Sequence, residues 1–293
     1  MVKKACRLWA LLIAILSAAT NDIFPGTITV TIPKPRGQSG STTLFNKQIL
    51  TLALDKTKND CGGYVIAETP LTMNTSRAIL EIRENTYANL MLLTSFQNRF
   101  LDEGLDYTRF PVDLGVTGYR IGFVSAAAKS KFKSVSSLAD LKQISIVQGA
   151  GWADTVILRS NGLTVTELSA YDSPFLMIAT GRAEYFPRGI NEIEPEANSA
   201  GKKNYHLEID REIALEYDLP RFFFSNKKNK NVLDRITKGL VIAYNDGSFQ
   251  KIWNQHFGDA VKFADLRHRR IIRLKNNDIS RIDFNYRKYY IIP

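Results

Sequence analysis

The stretch SVSSLADLKQISIVQGAGWADTVILRSNG, residues 134–162, reads as a short helix over SSLADLK, a strand over ISIVQG, a glycine turn and a helix over WADTVILRSNG. The strand ends at Val147 or Gln148, and the next helix begins near Gly151 or Trp152. Amides at a helix start lack internal partners and sit at the positive end of its dipole, which suits an anion. Gly149 and Gly151 let the backbone approach closely. The same residues also describe an ordinary β-α turn, and both readings stand on the residues alone.

Working outward, the same alternation continues in both directions. Upstream come a strand in GTITVTIPK, a helix in TTLFNKQILTLALDKTK, a strand in YVIAETP, a helix in TSRAILEIRENT and a strand in ANLMLLT. Downstream come TVTEL as strand, SPFLMIATG as helix and AEYFP as strand. Strands alternating with helices predict parallel sheets covered by helices. Between the two runs lies PVDLGVTGYRIGFVS, with Gly115, Gly118 and Gly122 spaced through it. Two successive α/β units predict two lobes, with a boundary near 113–120. After a polar stretch follow the aromatic strand RFFFS, a helix in VLDRITKGLVIAYND and the segment GSFQKIWNQHF. The tail, 262–293, carries nine Lys or Arg against three Asp, and its blandest reading is a solvated basic edge.

The first twenty residues, MVKKACRLWALLIAILSAAT, have the form of an export signal: Lys3, Lys4 and Arg7, then a short apolar run, then small residues with cleavage expected after Ala19. That run is too short to span a bilayer, which takes about 20 residues. An exported, periplasmic protein is therefore expected. The formal charge of +10 falls to +7 on cleavage, by removal of those three cations. Cys61 is then the single thiol, so no internal disulfide is expected and the fold rests on its core. A basic exported protein meets lipids, wall polymers and small acids rather than nucleic acid.

The quoted stretch, together with MIATGRAEYFPRGINEIEPEA and ITKGLVIAYNDGSFQKIWNQHF in this order and spacing, resembles family 3 solute-binding proteins, the two-lobed periplasmic receptors for amino acids, in a little-characterised branch. The resemblance covers nearly the whole chain after the signal. It implies an α/β, type II periplasmic binding protein fold with a ligand cleft between the lobes. The implied division is residues 1–19 as signal peptide, 22–116 as the first part of lobe 1 and 117–207 as lobe 2. Residues 208–263 would return to lobe 1, and 264–293 would be a basic tail on or extending from it. Two crossing strands would fall near Leu114–Arg120 and Asn204–Asp210, with Gly115, Gly118 and Tyr119 at the hinge.

The resemblance also implies site residues. The turn Gly149, Ala150, Gly151, Trp152 corresponds to the one that meets a ligand carboxylate, although Ala150 and Gly151 replace the usual hydroxyl residue. TSFQNR, 94–99, is similar to the family's S-x-T-x-x-R, which assigns Thr94 and Ser95 as hydroxyl donors and Arg99 as the carboxylate fork. The position that usually carries an acid for the ligand amine falls at or near Gly189, beside Arg188. The nearest carboxylates are Glu192 and Glu194. Arg188 with Arg99 favours an anion, and Glu192 keeps an amino-acid-like solute open. Aromatic side chains often wall such pockets, so Trp152 and Tyr185 or Phe186 are candidates, with packing in the core as the plainer reading; Arg36 lies where the family approaches ligand.

These readings give an exported binding protein, monomeric and without cofactor or metal, that delivers a small anionic or amino-acid-like solute to an ABC-type transporter. The same fold reporting to a membrane sensor is the alternative. An enzyme on this scaffold is a further one, since fold does not fix function. The three histidines, His206, His256 and His268, show no ligand spacing, and G-x-S-x-G, H-E-x-x-H and C-x-x-C are absent from the sequence. Glu192 and Glu194 form a possible acid–base pair, with a solvated turn as the plainer reading.

Overall fold

The structure is a computed structural model, and it describes residues 26–34, 40–203, 205 and 207–292. The expected export signal, Arg36, Asn204 and His206 lie outside the described residues. The first lobe begins with β1 (Ile28–Lys34), α1 (Gly40–Lys56), α2 (Lys58–Cys61), β2 (Tyr64–Thr72), α3 (Thr75–Glu84), β3 (Leu92–Ser95), α4 (Arg99–Asp102) and β4 (Leu105–Tyr107). β1 and β2 pair in parallel, and a parallel bridge from Thr31 to Leu90 continues the sheet towards β3. Among the expected helices, α3 is sealed at both ends as well as buried on one face. In α3 the Asn74 side chain accepts from Arg77 N, Asn85 closes the helix in the left-handed region, and Ala78, Ile79 and Ile82 face inward.

The second lobe holds β5 (Tyr119–Val124), α5 (Leu138–Leu141), β6 (Ile146–Gly149), α6 (Ala153–Ser160), β7 (Val165–Leu168), α7 (Ser173–Ala179), β8 (Tyr185–Gly189), α8 (Ile193–Lys202), β9 (Glu208–Ile209) and β10 (Ile213–Glu216). The chain then returns through β11 (Arg221–Asn226), α9 (Lys230–Asn245) and α10 (Ser248–Ala264), and ends with β12 (Arg270–Arg273) and short turns. The sheets share one plan. In the first lobe β11 is antiparallel to β3 on one side and to β4 on the other. In the second, β7, β6 and β8 are parallel, and β5 is antiparallel to β8 and then to β10. These two antiparallel strands, β5 and β11, each follow directly on a crossing between lobes.

The pairing places 208–216 differently from the expected division, which assigned 208–263 to the first lobe. β9 and β10 both lie on β5, in the second sheet, and the return to the first lobe runs through 217–220. The edge is broken between them. Leu215 faces Arg120, and unbroken pairing would set Phe123 opposite Glu212, yet it faces Ile209. Asp210 turns the chain there, its carboxylate accepting from Glu212 N and Ile213 N. Buried Arg269 then donates to Ala264 O, Asp210 O and Ile213 O, tying the end of α10 to the break.

The tail is not a solvated edge. β12 extends the second sheet beside β10, and Ile272 and Leu274 are buried in that lobe's core. Ile279, Ile282, Phe284 and Tyr286 pack on a first-lobe core built from Phe96, Phe100, Phe222 and Phe224. Tyr289 and Ile292 enter the large cluster that joins α1, α9 and α10 to the rest. Its cations find acids: Arg281 pairs with Asp102, Arg287 with Asp218 and Arg273 with Glu216.

The break between β9 and β10 gives a test of this packing. Arg269→Met leaves three carbonyls without their buried donor, so it should cost about 3–5 kcal/mol. A urea melt with an unshifted midpoint would rule this role out.

Candidate functional site

The two crossings run side by side and are bonded to each other. Every residue from Phe110 to Ser125 is buried, including Asp113, Thr117 and Arg120. Val112 N donates to Arg221 O, Tyr217 N to Gly118 O, and the Asp113 carboxylate accepts from Thr117 N and Arg221 N. The Thr117 hydroxyl lies between that carboxylate and Leu219 O. Gly115 takes a φ of 93°, and the ring of Tyr290 covers it so closely that a Cβ would sit 2.8 Å from the ring. The expected hinge residues Gly115, Gly118 and Tyr119 all belong to this seam.

Beside the seam a cavity of about 110 Å³ opens between the lobes. Phe96 and Gln97 wall it from the first lobe, Gly151 to Ala153 and Thr155 to Ile157 from the second, and Leu219, Asn276 and Asp278 close the side. The β6–α6 turn is shaped by its glycines. Gly151 has a φ of 75°, and a Cβ on Gly149 would lie 2.3 Å from the Trp152 ring, which folds back over it. Ala150 N is used by Leu168 O. Gly151 N faces the Glu167 carboxylate at 3.4 Å, so the amide end of the turn already meets an internal anion, itself paired with Arg159.

Three buried or half-buried arginines, Arg188, Arg120 and Arg221, stand on β8, β5 and β11. Arg188, on β8, is buried and grips Glu196 with Nε and Nη2 at 2.7 and 2.6 Å, while Nη2 stands 3.2 Å from Glu192. It lies 4.4 Å over the Trp152 ring. Burial works against its charge, but Glu192 and Glu196 outweigh it and hold its pKa above the ordinary arginine value. Arg120, on β5, is buried; its Nε donates to Asp154 at 2.7 Å, and Tyr217 hydrogen-bonds the same carboxylate oxygen. Burial penalises the Asp154 carboxylate, yet Arg120 overrides it and keeps its pKa below the usual value. Arg221 opens β11 opposite Ser95 of β3 and gives one side-chain hydrogen bond, to Leu93 O at 3.2 Å. Burial lowers its pKa; Asp113 and Glu192 act to raise it and Arg120 to lower it further.

The structure therefore brings Gly151 and Trp152 to the cavity and links Trp152 to Arg188 and Glu192. Gly149 and Ala150 stand just behind, in the turn. Thr94 and Ser95 end β3, with Ser95 beside Arg221. Arg99 starts α4 and points to the surface, bonded to Gln97 and Glu103 and lying over Phe100. Tyr185 and Phe186 are fully buried in the second-lobe cores rather than lining the cavity. Asp113, Asp154, Glu196, Tyr217 and Arg221 escaped the sequence reading. Only Glu196 carried a local signal, as an acid in the first turn of a helix that a Pro at 195 helps begin. Among the described residues, no group of three or more His, Cys, Asp or Glu is arranged to hold a metal ion, and no helix is long and apolar enough to cross a membrane.

No protein-family model matches this sequence, and no curated protein is significantly similar to it. Solved structures do match. An ancestral arginine-binding protein bound to arginine is 17% identical with a TM-score of 0.52, the match covering 80% of this chain and 100% of that one. The GluR0 ligand-binding core in complex with L-glutamate is 12% identical with a TM-score of 0.54, covering 80% and 99%. A probable amino-acid ABC transporter extracellular-binding protein from Bacillus subtilis is 13% identical with a TM-score of 0.52, also covering 80% and 99%. At such identities the likeness is one of fold. The chain has the two-lobed type II periplasmic binding protein fold, with the cavity where its lobes meet.

The seam makes a pH prediction. Burial raises the Asp113 carboxyl from 3.8 to about 6, against the pull of Arg221 and of backbone donors. Between those values the folded state holds a proton that the unfolded state has released. Protonation then favours folding, so this group's contribution to stability falls as pH rises through the window. The stability of the native protein relative to Asp113→Asn should drop by roughly 2–3 kcal/mol between pH 4 and 7. Urea midpoints for the two proteins that stay parallel across this range would overturn the assignment.

Proposed function

We infer that this is an exported solute-binding protein that takes a small amino-acid-like solute into the cleft, closes its lobes by hinge motion and passes the solute to an ABC-type transporter. The observation that carries the reading is the cavity at the lobe junction, faced by Phe96 and Gln97 on one side and by the Gly151–Ala153 turn on the other. The fold supports it, since structures with this fold include receptors for arginine and for glutamate. No catalytic step is assigned to the cleft, and no cofactor is needed for capture.

The charge arrangement favours a zwitterion over a plain anion. Arg188 is engaged by Glu196 and Arg120 by Asp154, so neither guanidinium offers an open fork. Arg221 uses one Nη2 donor on Leu93 O and keeps the rest of its five donors for a solute carboxylate. Glu192 is half-exposed, and its Oε2 is within reach of Gly189 N and Arg188, which sets it to receive an amine. In this role Arg221 takes the part that the sequence resemblance gave to Arg99. The partner would be the membrane subunits of a transporter, with the receptor acting as a monomer outside the cytoplasm.

A thermal-shift screen of amino acids, dicarboxylates and keto acids tests this reading. A solute at a hundred times its Kd should stabilise the folded state by about 2.7 kcal/mol, a clear rise in Tm. Arg221→Met should then abolish the shift, and Glu192→Gln should weaken it for amines but not for carboxylates lacking one. An amino acid that binds Arg221→Met as tightly as the native protein would remove Arg221 from the site. A panel without a single shift would sink the receptor reading.

A further inference from the structure

The C-terminal segment does more than cover apolar surface, because it is built into both lobes and into the seam between them. On one side β12 is a strand of the second sheet, and Lys275 N and O bond to the side chain of Asn161 beyond α6. On the other, Asn98 N of the first lobe donates to Asp278, and Arg281 and Asp283 reach Asp102, Tyr107 and Arg109. The bridge between these anchorages is short. It passes over the return crossing, where Asn276 Nδ2 donates to Asp218 O at 2.8 Å and the Asp218 carboxylate takes Tyr286 and Arg287. It finishes on the first crossing, with Ile291 N on Leu114 O and Tyr290 over Gly115.

The same bridge forms a wall of the cavity, through Asn276 and Asp278. That cavity, about 110 Å³, is below the ~300 Å³ at the small end of ligand pockets, so a solute needs the lobes to part or the wall to shift. Hinge motion requires the two crossings to change their backbone angles, and here both crossings carry a strap fastened to both lobes. The alignments with the solved structures cover 80% of this chain and all or nearly all of theirs, which leaves about a fifth of it as additional sequence.

We propose that residues 269–292 are a built-in strap, tethering the two lobes across the seam and supplying the third wall of the cleft through Asn276 and Asp278, so that the strap limits how far the cleft opens. The inference concerns the lobes alone and does not depend on which solute, if any, the cleft takes.

Deleting the strap would strip apolar side chains from three cores, so the test severs it instead. A site for a specific protease is inserted between Lys275 and Asn276, leaving both halves to stay docked. Spin labels at Lys58→Cys and Lys133→Cys, in a background of Cys6→Ser and Cys61→Ser, report the distance between lobes. Before cleavage the insertion should give a narrow distribution. After cleavage, with circular dichroism unchanged, the distribution should broaden and its mean lengthen. Superimposable distributions before and after cleavage would overturn the tether. Because the readout uses no solute, a silent ligand screen and a failed tether are separate results.

Discussion

The fold depends on the pairing of its two crossings. Each crossing must be polar enough to bond its neighbour and buried enough to exclude water, and Asp113 meets both demands by accepting backbone donors from Thr117 and Arg221. The seam lies between β5, which completes the second sheet beside β8, and β11, which holds β3 and β4 together in the first. The lobes are therefore not two domains on a string. They are two sheets joined by a pair of bonded crossings, and the residues that bind those crossings are the ones that a hinge would have to move.

Burying charge at this junction carries a constraint. A carboxylate or guanidinium out of water is costly unless paired and hydrogen-bonded. Arg120 with Asp154 and Tyr217, and Arg188 with Glu196 over Trp152, meet that requirement within the protein. The basic character of the chain as a whole consequently says little about its cleft. Net charge is a property of the surface, while the buried arginines beside the junction, Arg120 and Arg188, are each matched by a carboxylate.

Much of the architecture was legible because strand and helix periods repeat along both lobes, from GTITVTIPK to AEYFP. The β6–α6 turn was legible too, since glycines at 149 and 151 have steric reasons to be there. What escaped was whatever depends on distant pairing. Arg99 and Arg221 look alike as residues; the register that sets Arg221 against Ser95 turns one towards the junction, and the start of a four-residue helix turns the other to the surface. The tail was misjudged for a similar reason. Its cations dominate the composition, but the spacing of Ile272, Leu274, Ile279, Ile282 and Phe284 decides where it packs. Glu196 escaped because its partner, Arg188, acquires its orientation from the strand beneath.

These points converge on how the cleft would discriminate. A solute carboxylate arriving at Arg188 would have to displace a bidentate internal partner that is already desolvated, and would gain little by the exchange. At Arg221 it would instead complete a fork engaged through a single carbonyl, and leave buried Asp113 in place behind it. On the proposed reading, discrimination would come from which guanidinium remains uncommitted, not from how many are present. The strap acts on the same choice from the opposite side, since its Asp278 adds a carboxylate to the cavity wall beside Gln97. On that reading a solute with an amine would find a carboxylate partner in Glu192, which a simple anion would not use.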